Sequence, residues 1–372
     1  MTRPTTLAAL ALLAAACGGP PSDPVAVAPV PREVREAAPA ATTTTTPSTT
    51  PSTVAPPAPA TTVPTTAPSP TGPDRERIVI HGTGDVSLMD GHVRGNFSRH
   101  GHEYAWSGLD GLFERDDLTV VNLECAPSTL GGARDKKFTF RCDLAALPVM
   151  RDAGVEVANM ANNHAGDYGR SALVDGRANL VRAGIQPVGA GRDLEQATKP
   201  AYVSSGGWTI AVLGFSLVTG GDGWFAGPSW SGVAQGRTDT VVAAVAAAAG
   251  TADLVVVTIH WGEEGDRTPR GVNRTLAAEM IGAGADIVFG HHSHRINELE
   301  WVDGRPVFWG LGNFVWPDLG PFSSLGGVGE VVVEPDGTIS ARLLRSEIVD
   351  DGHPVLLDNP DPALRTDRAV SR

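Results

Sequence analysis

DLVVVTIHWG, residues 253–262, is a run of apolar and β-branched side chains that stops at an imidazole, and ADIVFGHHSH, residues 285–294, repeats the pattern. A strand that is apolar at consecutive positions, not alternate ones, is covered on both faces. Working outward, the same signature recurs as IVIHGTGD (78–85), LTVVNLE (118–124), VEVANMANNH (155–164), TIAVLGF (209–215) and PVFWGLGNF (306–314). Helix-period stretches lie between them: Leu144 to Ala153, Ser171 to Ala183, Asp239 to Ala249 and Asn273 to Ala283. Strands alternating with helices predict an α/β domain with a mostly parallel sheet and crossover connections. Periodicity alone suggests a single open sheet.

Asp85, Glu124, Asn163, His164, His260, His292, His294 and Asn313 all fall at or just past the C-terminal ends of these predicted strands. In an open α/β sheet those ends form one rim, where ligands bind. Taken singly, each residue has a plainer reading. Asp85 after Gly84 is a turn residue, Glu124 a helix cap or loop carboxylate, Asn163 a left-handed turn former and His164 a satisfied imidazole. His260, ending a very apolar strand, must be paired or functional. Three imidazoles in four residues, His291, His292 and His294, are the most specific signal. Together on one rim, carboxylates, an amide and imidazoles are the donor set that Zn, Mn or Fe ions accept, and their number suits two ions sharing a carboxylate. Such a pair can activate a water and hold the oxygens of a phosphoryl group.

GTGDV (82–86), NLE (122–124), NMANNHAGDYG (159–169), HWGEE (260–264), GHHSH (290–294) and LGNF (311–314), in that order, resemble the bacterial capsule-synthesis CapA family. That family, associated with poly-γ-glutamate capsule, is similar to the calcineurin-like metallophosphoesterases. The resemblance implies an αββα sandwich of two mixed sheets flanked by helices, over a domain of residues 78–350. It also implies metal ligands Asp85, Glu124 as the bridge, Asn163, His260, His292 and His294, with His164 facing the leaving group. A slip of one residue would put His291 in place of His292. Ser87 stands where the first motif would carry a histidine, so one of the two cations is expected to bind weakly. Ala165 replaces the usual acid after the Asn-His pair, leaving Asp167 to orient His164.

The rest of the chain bears on location. Leu7 to Ala16 is an apolar run of ten between Arg3 and Cys17, too short to span a bilayer. Its end resembles the lipobox of bacterial lipoproteins, with Ala14 where Leu is usual, which makes residues 1–17 a signal peptide and Cys17 the lipidation site. An ordinary secretory signal is the alternative. Residues 18–77 read as a disordered Thr/Pro/Ala-rich linker: 15 of the 29 prolines fall between Gly18 and Pro73, and Ala37 to Pro73 has no charge. The domain is therefore expected to be extracytoplasmic and lipid-anchored to the cell membrane. Export favours a disulfide between Cys125 and Cys142, worth about 3 kcal/mol in the chain-entropy model, over Cys125 as a metal ligand. Residues 351–372 read as an extended tail.

The formal net charge of −13 falls on the part after Pro73, since three bases and three acids precede it. That excludes a nucleic-acid binder. It also means that an anionic polymer must be met by the metals or by a local group such as Arg134, Lys136 and Lys137, a trio that otherwise reads as a solvated loop. Trp224, Trp230, Trp261, Trp309 and Trp316 read as core or rim packing, with ligand stacking the rival.

Two functions follow. The first is a metal-dependent hydrolase of a phosphoester or amide bond, in which His164 protonates the departing group. The second is a non-catalytic surface factor tethering or handling an exported polymer. Expected partners are the membrane, capsule-assembly proteins and the anionic polymer.

Overall fold

Strands apolar on both faces need two separate cores, and the chain builds them by stacking two sheets. The computed structural model describes residues 74–219, 224–358, 364–365 and 370. One sheet runs, from edge to edge, His353–Leu356, Ile339–Asp350, Leu325–Val333, Ile78–Val86, Leu118–Leu123, Val157–Asn159 and Gln186–Val188. The other runs Ile296–Val302, Arg305–Leu311, Ile287–His291, Leu254–His260, Trp208–Ser216 and Ala201–Ser205. The first is parallel from Ile78–Val86 out to the edge strand Gln186–Val188 and antiparallel on its other side, whereas the second has a parallel centre and antiparallel flanks.

Ile80, Val120 and Val157 of the first sheet meet Val212, Val256, Phe289 and Phe308 of the second in one buried cluster. On the far face of the first sheet, Val121 and Leu123 pack with Leu147 and Met150 of the helix Ala146–Asp152, and with Leu173 and Leu180 of Arg170–Arg182. On the far face of the second, Val255, Val257 and Ile259 pack with Val241 and Val245 of Thr238–Ala249, and with Leu276 and Met280 of Gly271–Ala283. The result is an αββα sandwich of two mixed sheets flanked by helices, replacing the single sheet that periodicity suggested.

Two sheets close this tightly because small residues sit between large ones. A Cβ on Gly82 would lie 2.5 Å from the Phe289 ring, and one on Gly329 2.9 Å from both Phe289 and Phe308.

Several boundaries differ from the sequence reading. Of residues 155–164 only Val157–Asn159 is strand, so Asn162 to His164 lie on the loop beyond it. The long strands Leu325–Val333 and Ile339–Asp350 were not anticipated; the second alternates buried and half-exposed positions and carries Arg342, Arg345 and Glu347. Past Asp350 the chain forms another strand, His353–Leu356, paired with Ile339–Asp350. The signal segment, Cys17 and the linker as far as Pro73 lie outside the described residues. No helix among the described residues is long and apolar enough to cross a membrane. Cys125 and Cys142 are joined in a disulfide, with Cα atoms 5.2 Å apart.

Candidate metal centre

The parallel strands of both sheets end on the same side, and that shared end carries the polar residues. Asp85 is held where its strand is irregular on both sides, pairing with Asn122 on one neighbour and Asn313 on the other. The strand reaches this position only because Gly84 has no side chain: a Cβ there would lie 2.4 Å from the Gly312 carbonyl. Glu124 follows the next strand by one residue, His260 ends the strand Leu254–His260, and His292 and His294 lie just past His291. His292 and His294 both have left-handed backbones, φ +86° and +51°. A non-glycine residue there stores strain, and two so close together suit a site whose side-chain directions matter more than local comfort.

Donor atoms from Glu124, His260 and His292 lie within 4.8 Å of one another, as do those from Asp85, Glu124 and His294. Glu124 belongs to both groups. Asn163 joins the first group through its Oδ1, 2.8 Å from His260 Nε2. All six ligand positions read from the sequence are thus brought together. His291 is placed differently: its Nε2 is taken by Thr258 Oγ1 at 2.8 Å and its Nδ1, buried without a hydrogen bond, lies 3.7 Å from Asp85 Oδ1, while it is His292 that groups with Glu124 and His260.

The electrostatics fit divalent cations. Glu124 is completely buried, and neither of its oxygens has a hydrogen-bond partner. A buried carboxylate left so costs several kcal/mol unless a cation meets it. Two imidazole nitrogens nearby are slightly too far for hydrogen bonds, His260 Nε2 at 3.6 Å and His164 Nε2 at 4.0 Å. Donors held about 2.1 Å from a common ion sit roughly 3–3.6 Å apart, so the His260 spacing suits such an ion. Burial, then the charge of Asp85, pushes the Glu124 carboxyl well above its usual range. Asp85 goes the other way: burial opposes its charge, but the hydrogen bond and charge of His294 outweigh it. Burial and the neighbouring imidazoles push His260 well down. His291 and His292 fall to about 4, mainly through burial, so both are neutral near pH 7, as a ligand at His292 requires. His294 is raised to about 9, since the Asp85 hydrogen bond and the Glu124 charge overcome its burial.

Amides orient these groups. Asn122 Nδ2 donates to Asp85 Oδ1 at 2.8 Å and touches His260 Nδ1 at 3.3 Å, while its Oδ1 accepts from Asn159 Nδ2 at 3.1 Å. Asn313 Oδ1 lies 2.7 Å from His294 Nδ1. Asn122 was not singled out as a functional position, although it lies in the NLE motif two residues before Glu124.

His164 stands at the edge of this group. Its Nδ1 meets Asp167 Oδ2 at 2.6 Å, so Nε2 is the atom turned toward Glu124. Burial lowers its pKa, against the opposing pull of Asp167. Asp167 in turn accepts from Phe140 N at 2.8 Å and from Lys136 Nζ at 2.6 Å. Lys136 is therefore not the solvated loop residue its sequence context suggested; Arg134 lies over the Trp224 ring, and Lys137 over Phe138. Phe140 stacks on His164 and on His92, each at 4.1 Å between centroids. Two rings that close cannot share one face of a phenyl, so Phe140 is clamped between them. His92, lowered to about 3 chiefly by burial, is a neutral part of that wall. A cavity of about 680 Å³ opens here, lined among others by His92, Phe140, His164, Glu264, His294 and Trp316. Of the tryptophans, Trp316 alone borders it; Trp261 and Trp309 stack on each other within the outer core of the second sheet.

Buried carboxylate, amide and imidazole donors thus gather at the shared rim of an αββα sandwich, in groups of a size and chemistry that could hold divalent metal ions. The chain belongs to the family described as bacterial capsule synthesis protein PGA_cap, which matches it over residues 79–318. It is similar to the PGA biosynthesis protein CapA of Bacillus subtilis strain 168, 33% identical over 236 residues, covering 63% of this chain and 62% of that protein. It is also similar to the capsule biosynthesis protein CapA of Bacillus anthracis, 30% identical over 256 residues, covering 65% and 61%. The chain thus spans about three fifths of the length of these relatives. Among solved structures, the NAD nucleotidase of Haemophilus influenzae aligns with a TM-score of 0.45 at 13% identity, covering 76% of this chain and 60% of that one.

Proposed function

We propose that this protein is an exported, metal-dependent hydrolase that cleaves a phosphoester or amide bond during assembly of a poly-γ-glutamate-type capsule. The observation that carries the reading is Glu124: a fully buried carboxylate without hydrogen bonds, common to two donor groups, with His164 Nε2 4.0 Å away. Asp85, Glu124 and His294 would hold one cation, and Glu124, Asn163, His260 and His292 the other, of Mn, Fe or Zn type. When bound, such a pair supplies an activated water and neutralises charge on the substrate. Asp167 fixes which nitrogen His164 presents, and a proton on that nitrogen can pass to the departing oxygen or nitrogen. Phe140 and Trp316, in edge-to-face contact, line the cavity that His164 also borders. Membrane attachment through Cys17, and contact with capsule-assembly proteins and the anionic polymer, belong to the same reading.

The test is turnover of phosphoester and γ-glutamyl panels by metal-loaded protein, wild type and His164→Ala. Retained metal with lost turnover in the variant supports hydrolysis. A wild type that binds metal yet turns over neither class favours a polymer-handling factor instead.

A further inference from the structure

Glu263 and Glu264 are consecutive acids on the loop that leaves the strand Leu254–His260, and they face opposite ways. Glu263 is paired with Arg270, which also holds Asp266 at 2.8 Å. Glu264 has no hydrogen bond or ion pair among the described residues, and it borders the cavity beside the metal centre. Its carboxylate forms a third donor group with His292 and His294, all within 4.8 Å. The loop is shaped to deliver it: Gly262 and Gly265, at φ +86° and +88°, bracket the two acids. Gly265 N donates to Ser293 O at 2.8 Å, tying the loop to the segment that carries both imidazoles.

The same centre has an uneven supply of ligands. The group containing His260 has four side-chain donors once Asn163 is included, whereas the group containing Asp85 has three. Ser87, two residues past Asp85, does not make up the difference, because its hydroxyl is engaged with His92 Nδ1 at 3.0 Å. Two divalent ions also carry twice the charge that Asp85 and Glu124 return, so a third carboxylate lowers the surplus.

We infer that Glu264 is a metal ligand that closes the solvent side of the centre, completing the shell of the cation held by Asp85, Glu124 and His294. This rests on the two-cation reading above. The probe is Mn²⁺ alone, titrated into metal-free full-length protein by calorimetry, with the spin-coupled signal of a bound Mn pair followed by EPR. Wild type is expected to show two binding steps, one of which Asp85→Asn removes. Glu264→Gln should weaken that same step roughly 10- to 100-fold and leave the other in place. Glu263→Gln, on the neighbouring acid paired to Arg270, should change neither. Two unaltered steps in Glu264→Gln, or weakening of the step that His260→Ala removes, would overturn the assignment while leaving the two-cation centre standing. A wild type that binds no Mn²⁺ would remove both.

Discussion

Lys136 Nζ donates to Asp167 Oδ1 at 2.6 Å, on the carboxylate whose other oxygen meets His164 Nδ1 at the same distance. The ammonium also donates to the Asn163 carbonyl at 2.9 Å, so one side chain ties together the two loop positions that flank His164. Lys136→Met should lower turnover roughly tenfold, about 1.4 kcal/mol of barrier, with metal content unchanged. Lys136→Arg should recover part of that loss. Parallel metal analysis and steady-state kinetics check both.

Glu124 gives a prediction with an unusual sign. Its carboxylate is buried beside Asp85 with no hydrogen bond, so in metal-free protein it is a source of instability. Glu124→Gln should therefore raise metal-free stability, by roughly 1–3 kcal/mol. It should also abolish the gain from metal, which for wild type at a hundredfold excess over Kd is about 2.7 kcal/mol. Thermal unfolding in chelator and in Mn²⁺ reads both changes.

The acid limb of stability should be set partly by a network remote from the metals. His81, buried in the strand Ile78–Val86, contacts Asp116 at 2.6 Å and Glu330 at 3.5 Å, and Arg342 donates to Glu330 at 2.6 Å. Burial opposes the Glu330 charge, but these two partners lower its pKa from 4.5 to about 2. Its contribution is present above the unfolded value and is lost as pH falls from 4.5 toward 2. His81 is raised, so its share is kept below 6.5 and lost only on the alkaline side. Metal-free wild type should lose roughly 2 kcal/mol more than Glu330→Gln between those acid pH values, after allowing for partial exposure. Thermal melts across that range decide it.

The disulfide closes the loop that carries both Lys136 and Phe140. Cys125→Ser with Cys142→Ser should cost about 3 kcal/mol of stability by the loop-entropy argument. Because Phe140 N and Lys136 Nζ both hold Asp167, turnover should fall as in Lys136→Met while the metal ligands stay filled. Denaturant unfolding and metal analysis separate the two effects.

The parallel strands and their polar ends were legible because burial on both faces leaves consecutive apolar residues, and a polar side chain ending such a run is conspicuous. His260 and the His291 to His294 triplet announce themselves in this way. The pairing of two sheets was not legible from periodicity: Ile80 looks the same whether it faces a helix or a second sheet. Strand Ile339–Asp350 was missed for a related reason, since Arg342 and Arg345 break its apolar run. Lys136 and Glu264 could not be distinguished from solvated neighbours, because what sets them apart is a partner far along the chain or the lack of one. Asn122 was hidden by its motif, where Glu124 drew the attention.

Asp85 and Glu124 hang from one sheet, His260, His292 and His294 from the other. The gap between the candidate donor atoms is thus a reading of how far apart the two layers lie, a gauge whose setting is fixed where Gly82 and Gly329 let the Phe289 and Phe308 rings seat against bare backbone. Lineages could retune this centre toward a smaller or larger ion by repacking that distant contact, leaving every coordinating side chain as it is.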